Sequence, residues 1–497
     1  MSVSTAAGPL PAAPAEGHVP ARRGLSLLVL SLAQLMVVLD ATVVNIALPT
    51  AQKALTFSDA DRQWIVTGYA LAFGSLLLLG GRLSDFFGRK RMFVVGVIGF
   101  ALASALGGAA GGFGLLLVAR VLQGVFGAVL APAALSLLTV TFTAPAERAR
   151  AFAVFGGISG AGGGVGLLLG GVLTEYASWR WCLYVNLFIA AAALVGAAVA
   201  LVEGEKPAKP HLDLPGVFTA VLGLVGLVYG LGEAQSSGWT SGRTLVPLLL
   251  GVVLLVVFVV VERRVASPLL PLRVVVDRSR GGAYLTVGIA GIGMFGLFLF
   301  LTYYLAASLR FSPVQTGAAF LPMLAMIMVT AIGLATALVP RVGPRPLVPT
   351  GALLAAVGMV LLTRLDLDSS YVRDVLPALL VIGAGLGLVF APAQNAATSG
   401  VDHADAGVAS AMINIGQQVG GSIGTALLST FAASSVTHSL AGRTPSPRLL
   451  AEATIASYHT VFWWSAGFMV LCAVLSGVLF RSGPLDVDPD AAPVLAH

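Results

Sequence analysis

Apolar residues occur in fourteen blocks of roughly 20 residues, separated by short polar segments. A block of that length matches the hydrocarbon thickness of a bilayer, about 30 Å. Backbone polar groups in lipid must be satisfied within the segment, which favours helices. The pattern predicts transmembrane helices at roughly 24–48, 64–83, 91–111, 113–139, 151–173, 181–202, 214–233, 244–262, 281–305, 313–339, 346–364, 374–399, 406–432 and 458–481.

The composition excludes a soluble multidomain protein of 497 residues. Only 10% of the residues are charged and 57% are hydrophobic, whereas soluble proteins contain about 25% charged residues. The two cysteines, Cys182 and Cys472, lie in apolar stretches. Because neither has partners at disulfide or metal-ligand spacing, we expect packing roles for both, and no metal or cofactor.

Basic residues predict the orientation of the helices. With the N-terminus in the cytoplasm, inner loops and tails hold eighteen Lys and Arg, outer loops hold nine, and Arg120 lies within a span. This bias fits both termini in the cytoplasm and insertion in the plasma membrane. Because the basic residues are scattered, they do not indicate a nucleic-acid partner. We expect a disordered cytoplasmic tail at 1–23 and a cytoplasmic tail at 481–497.

The two ends of the chain repeat one another. A Gly-x-x-x-x-Pro-Ala segment at Gly127 recurs at Gly387, an offset of 260 residues, and Gly162 and Gly163 recur at Gly420 and Gly421, an offset of 258. Repeats of this kind predict two six-helix halves, 24–202 and 281–480, related by an axis along the membrane normal. The segment 203–280 would then be a linker that carries two inserted helices.

A carboxylate lies inside the first span, in the sequence Leu39-Asp40-Ala-Thr42-Val-Val-Asn45. A buried carboxylate in a membrane helix costs about 3 kcal/mol, which makes it a candidate functional residue. The alternative is a structural interhelical hydrogen bond. The motif resembles the signature of the fourteen-helix drug:proton antiporter family of the major facilitator superfamily. The resemblance implies that Asp40 exchanges protons.

The loop after the second span reads Gly81-Arg-Leu-Ser-Asp85-Phe-Phe-Gly88-Arg89-Lys90. A positive-inside anchor would explain its basic residues but not their spacing. The spacing resembles the most diagnostic loop of the superfamily. The resemblance implies a latch in which Asp85 and Arg89 join the inner ends of helices across the two halves.

Arg120 remains charged in a membrane and therefore needs a carboxylate, carbonyl groups or water beside it. Counting helix rise from the outer ends places Asp40 and Arg120 at similar depths, roughly 12 and 10 Å. The two side chains could share one layer, or Arg120 could extend to the outer interface. The Arg-x-x-x-Gly pattern at Arg120 resembles one that the family uses in proton coupling.

The fifth span is rich in glycine, and its candidate helix-packing residues are Gly162, Gly166, Gly170 and Gly171. Small residues at such spacing let helices approach closely. The pattern resembles the glycine-rich fifth helix of proton-driven exporters, except that Leu167 stands where the family has proline.

These features favour a proton-coupled antiporter that exports amphipathic drugs by alternating access; the alternative is a nutrient uptake symporter of the same fold. No Gly-x-x-x-x-Gly-Lys-[Ser/Thr] sequence for nucleotide hydrolysis is present, and the histidines lack metal-ligand spacing, so an enzyme is not expected. A channel or receptor would not need Asp40, Arg120 and the loop together.

We expect a monomer in the bilayer whose partners are protons and a small amphipathic molecule. Candidate cavity residues are Asn45, Gln123, Phe298, Tyr303, Tyr304, Asn395, Asn414 and Gln417.

Overall fold

The computed structural model describes residues 19–142, 145–201, 213–265, 268–401, 406–444 and 446–483. Fourteen long helices occupy most of these ranges. They are α1 (Val19–Leu55), α2 (Asp59–Phe87), α3 (Arg89–Gly108), α4 (Phe113–Thr141), α5 (Pro145–Tyr176), α6 (Trp181–Ala200), α7 (Leu214–Ser237), α8 (Gly242–Glu262), α9 (Arg278–Ala307), α10 (Pro313–Val342), α11 (Pro344–Leu362), α12 (Tyr371–Thr398), α13 (Ala406–Leu440) and α14 (Pro447–Leu479).

The helices are those of a multi-pass membrane protein. Within the described residues, thirteen are long and apolar enough to cross a membrane. The remaining one, α5, spans 32 residues and includes positions whose side chains lie outside the described part of the chain. The predicted fold class, an all-helical polytopic membrane protein, is confirmed.

Several helices are longer than the apolar blocks that predicted them. The helix α1 has 37 residues, and α14 begins at Pro447, eleven residues before its predicted span. Polar caps, rather than the end of the apolar block, set the starts of α2 and α14: Ser58 forms a capping box at α2, and Ser446 accepts from the Leu449 N–H at α14. A short helix, Leu272–Val276, has no counterpart among the predicted spans.

Contacts between helix ends show how the chain alternates between two faces. Ser26 at the start of α1 donates to the Ala200 carbonyl at the end of α6, over 3.1 Å. Arg481, just after α14, pairs with Asp277, just before α9, at 3.1 Å. The start of α1 and the end of α14 therefore lie on one side of the bundle, which we call the terminal face. The other side is the opposite face.

The helices α7 and α8 lie at the edge of the bundle. The helix α8 packs on α7, which in turn packs on α2 and α13. Apolar side chains on α8 face outward, since Leu249 is 64% exposed and Val256 is 58% exposed. Exposed apolar surface of this kind suits contact with lipid tails. The contacts of α2 with α13, and of α5 with α10, join the first six helices to the last six.

Candidate functional site

Asp40 and Arg120 form a buried ion pair in the first half of the chain. The Arg120 Nη1 atom donates to Asp40 Oδ2 over 2.5 Å. Asp40 is fully buried on α1, and Arg120 on α4 is 2% exposed. The prediction that the two residues share one layer is therefore confirmed, and the alternative that Arg120 extends to the interface is wrong.

Two amides hold the other oxygen of the Asp40 carboxylate. Gln123 Nε2 donates to Asp40 Oδ1 over 2.7 Å, and Asn186 Nδ2 donates to the same atom over 2.8 Å. Both amides also donate to the Ser104 hydroxyl, at 2.8 and 3.3 Å. Four helices, α1, α3, α4 and α6, thus contribute to one hydrogen-bonded cluster around the Asp40 carboxylate. We call Asp40, Ser104, Arg120, Gln123 and Asn186 the carboxylate cluster.

Arg120 has further contacts that spread its charge. Its Nη1 donates to Gln123 Oε1 over 2.8 Å, and its Nε donates to the Ile65 carbonyl over 3.3 Å. The guanidinium carbon lies 4.3 Å from the centroid of the Tyr69 ring, a cation–π distance. A buried arginine is tolerated when its donors are satisfied in this way.

Sequence reasoning missed Ser104 and Asn186. Asn186 is fully buried in α6, a helix of otherwise apolar and small residues in its central turns. A lone amide in such a helix needs a polar partner, so the sequence could have identified Asn186 as a candidate site residue. Gln123 was predicted to line a substrate cavity; the structure buries it completely within the carboxylate cluster instead.

The hydrogen bonds of the cluster require Asp40 to act as an acceptor at both oxygens. As a carboxylate, Asp40 accepts from Arg120, Gln123 and Asn186. A proton on Asp40 would remove the charge that holds Arg120 and convert one acceptor into a donor. Arg120 would keep its contacts with Gln123 and the Ile65 carbonyl.

The glycines of α5 lie against α1 beside the cluster. A Cβ atom on Gly162 would lie 3.1 Å from Leu35, one on Gly166 would lie 2.0 Å from Thr42 Oγ1, and one on Gly170 would lie 3.0 Å from the Val43 carbonyl oxygen. This stripe permits the close approach of α5 to the turn that carries Asp40.

Gly171 faces a different neighbour, because a Cβ atom there would lie 2.6 Å from the Pro313 carbonyl oxygen at the start of α10. Leu167, which stands where the family has proline, lies one helical turn before Gly171 and is 1% exposed.

The segment 81–90, predicted to be a loop that forms a latch, lies on the terminal face; the prediction of a loop is wrong, because α2 continues to Phe87 and α3 starts at Arg89. Gly88 ends α2 and begins α3 with φ at 102°, a conformation that favours glycine. Lys90 Nζ donates to the Leu201 carbonyl over 2.5 Å. A Cβ atom on Gly81 would make an ordinary van der Waals contact with Pro132, at 3.8 Å, so this position does not require glycine for space. Arg89 is partly buried beside Gly88. The side chain of Asp85 lies outside the described residues, so the latch contact stays a prediction.

The remaining candidate cavity residues are dispersed. Tyr304 is fully buried, and its hydroxyl donates to the Asp366 carbonyl over 3.0 Å, so it does not line an accessible surface. Phe298 packs against Phe320 with ring centroids 5.1 Å apart. The other partly buried candidates are Asn45, Asn395, Asn414 and Gln417, of which Asn45 and Asn414 donate to carbonyls of their own helices.

Tyr303 joins two helices at the opposite face. Its hydroxyl donates to Gln52 Oε1 on α1 over 2.6 Å, and the Arg62 guanidinium carbon lies 3.9 Å from the centroid of its ring. Glu175 at the end of α5 accepts from the Val314 N–H at the start of α10 over 3.0 Å. At these points the opposite face is closed by contacts between the first six and last six helices.

A multi-pass helical bundle with a buried, fully ligated carboxylate among its first six helices defines a membrane protein of the transporter class. The family model described as the Major Facilitator Superfamily matches residues 30–425. The chain belongs to this family of transporters.

Two curated relatives match nearly the whole chain. A puromycin resistance protein of Streptomyces alboniger is 50% identical over 476 residues, covering 95% of this chain and 94% of the relative. A cephamycin export protein of Amycolatopsis lactamdurans is 38% identical over 450 residues, covering 90% of each. Among solved structures, an auto-inhibited peptide transporter of the POT family superposes with a TM-score of 0.67 at 17% identity, covering 95% of this chain and 100% of that one. That similarity supports the fold.

Proposed function

We propose that the protein is a proton-coupled antiporter that exports an amphipathic antibiotic by alternating access. The observation that carries the proposal is the fully buried Asp40 carboxylate, held by Arg120 and two amides. An ionisable residue inside a membrane bundle is a functional site by default because its burial is costly. A role for Asp40 in exchanging a proton for the substrate would account for a carboxylate at this buried position.

In this mechanism, a proton and the substrate compete for Asp40. Protonation removes the carboxylate charge and frees Arg120 from its 2.5 Å contact. Because Gly162, Gly166 and Gly170 place α5 directly against the Asp40 segment of α1, a local change there reaches a helix that also touches α10. The two halves, 24–202 and 281–480, would then rock about the site, with 203–280 as the linker.

Export, rather than nutrient uptake, is supported by the names of the relatives. The two relatives above are named for resistance to puromycin and for export of cephamycin. We propose that the terminal face is cytoplasmic and that the protein lies in the plasma membrane, as the distribution of basic residues predicts. Closed contacts at Tyr303 and Glu175 would then block the outer side.

Asp40→Asn tests the coupling. Asparagine retains the size of the side chain but removes the titrating charge, so the protein should fold while gradient-driven export is lost. The measurement is uptake of puromycin, with cephamycin in parallel, into energised inside-out vesicles, together with proton release when the antibiotic is added to purified protein. Asp368→Asn, a change at an exposed loop carboxylate, is the matched control and should export normally. Export against a gradient by Asp40→Asn would refute the coupling role.

A further inference from the structure

Two acidic residues outside the carboxylate cluster are buried. Asp213 is the N-cap of α7, and Glu262 is the last residue of α8. They are 3% and 4% exposed. Both lie at the terminal face, where the inserted pair of helices begins and ends. The proposed export mechanism uses neither residue.

Each carboxylate has one satisfied oxygen and one without a partner. Asp213 Oδ1 accepts from the Gly216 N–H over 2.9 Å, and Glu262 Oε2 accepts from the Leu270 N–H over 3.1 Å. The other oxygens, Asp213 Oδ2 and Glu262 Oε1, are buried without a hydrogen bond. A Cβ atom built on Gly216 would lie 2.3 Å from the first of these and 3.0 Å from the second. Both orphan oxygens therefore lie within 3.0 Å of one point beside Gly216.

Among the described residues, neither carboxylate takes part in a salt bridge. Arg263 and Arg264 follow Glu262 but are exposed, and Arg82 of α2 donates to the Pro268 carbonyl. The side chain of Asp85, also near this end of α2, lies outside the described residues. The helix α13, which packs on α7, has His438 as its one titratable side chain, at its opposite-face end.

We propose that Asp213 and Glu262 bind one proton between them and form a second protonation site, separate from Asp40. Two ionised carboxylates in one buried space repel each other and lack solvation. One proton resolves both problems, because the hydroxyl of one acid donates to the orphan oxygen of the other. Buried polar groups without partners are rare in native proteins, and this assignment satisfies both.

The shared proton also secures a loop. Residues 268–271, which precede the short helix Leu272–Val276, are bonded at Leu270 to Glu262 and at Pro268 to Arg82. Leu269 is 3% exposed, so this segment is docked. When the pair loses its proton, repulsion moves Glu262 away from Asp213 and withdraws the acceptor of the Leu270 N–H. The pH at the terminal face then determines whether α8 remains connected to α2 through the loop residues Pro268 and Leu270.

Infrared difference spectroscopy on the purified full-length protein tests the proton directly. The spectrum of wild type minus Glu262→Gln at neutral pH should show one protonated carboxyl C=O band, because glutamine replaces the acid and removes the shared proton. A difference that contains only ionised carboxylate bands would overturn the proposal. Asp213→Asn is the second variant if Glu262→Gln does not fold.

Cysteine labelling tests the loop. The reporter is Leu269→Cys, and the exposed Val276→Cys normalises for thiol ionisation; the native Cys182 and Cys472 are fully buried. Normalised labelling of the reporter should rise about tenfold as the pH is raised past the titration of the pair. In the Glu262→Gln background, labelling of the reporter cysteine should stay slow at every pH. The glutamine amide can donate to Asp213, and its side-chain carbonyl can accept from the Leu270 N–H. With Glu262→Ala, labelling should be fast throughout. Equal pH profiles in all three backgrounds would overturn the proposal.

Discussion

Replacing Arg120 with leucine removes every polar interaction of the guanidinium and leaves Asp40 buried without its counter-ion. In the wild-type protein the guanidinium makes the 2.5 Å pair with Asp40, the bonds to Gln123 and the Ile65 carbonyl, and the cation–π contact with Tyr69. Breaking one partner of a buried pair typically costs about 3–5 kcal/mol. Because Gln123 and Asn186 still donate to Asp40, we expect the lower end, about 3 kcal/mol.

A double variant separates the ion pair from ordinary packing. Asp40→Asn alone leaves Arg120 buried without an anion, whereas Asp40→Asn with Arg120→Leu removes both charges. The combined destabilisation should therefore fall short of the sum of the two single effects by about 1–3 kcal/mol. The free energy of unfolding is measured by denaturant titration of the purified protein in mixed micelles, followed by tryptophan fluorescence. Effects that add to within about 0.5 kcal/mol would refute the pairing.

Two further predictions concern helix contacts. Gly166→Ala should destabilise the protein by about 1–3 kcal/mol, since the added methyl group would lie 2.0 Å from Thr42 Oγ1. The control Gly163→Ala, where the methyl group would have no atom within 4 Å, should change the unfolding midpoint little. Equal destabilisation in the two variants would contradict this packing. Tyr303→Phe removes the 2.6 Å bond to Gln52, worth about 1 kcal/mol, and should raise the labelling of cysteines near the opposite face; unchanged labelling would show that this bond does not hold the face closed.

Much of the fold could be predicted because lipid imposes a simple constraint. Any segment that crosses the bilayer must be apolar and about 20 residues long, so apolar blocks identified all fourteen long helices in the described residues. Helix ends were less predictable. Ser58 and Ser446 extend helices beyond the apolar blocks by local hydrogen bonds, which hydrophobicity does not report.

The sequence alone also determined that Asp40 and Arg120 need partners, because each is a charge within an apolar segment. It did not determine which partners. Ser104 and Asn186 lie on α3 and α6, far from Asp40 along the chain. Only the packing of four helices brings Asn186 to the Asp40 carboxylate and Ser104 to the amides that hold it. Asp213 and Glu262 are a second example: at the polar ends of α7 and α8 they resemble solvated charges in sequence. Tertiary structure decided otherwise, because burial and mutual distance depend on how the helices and the following loop pack.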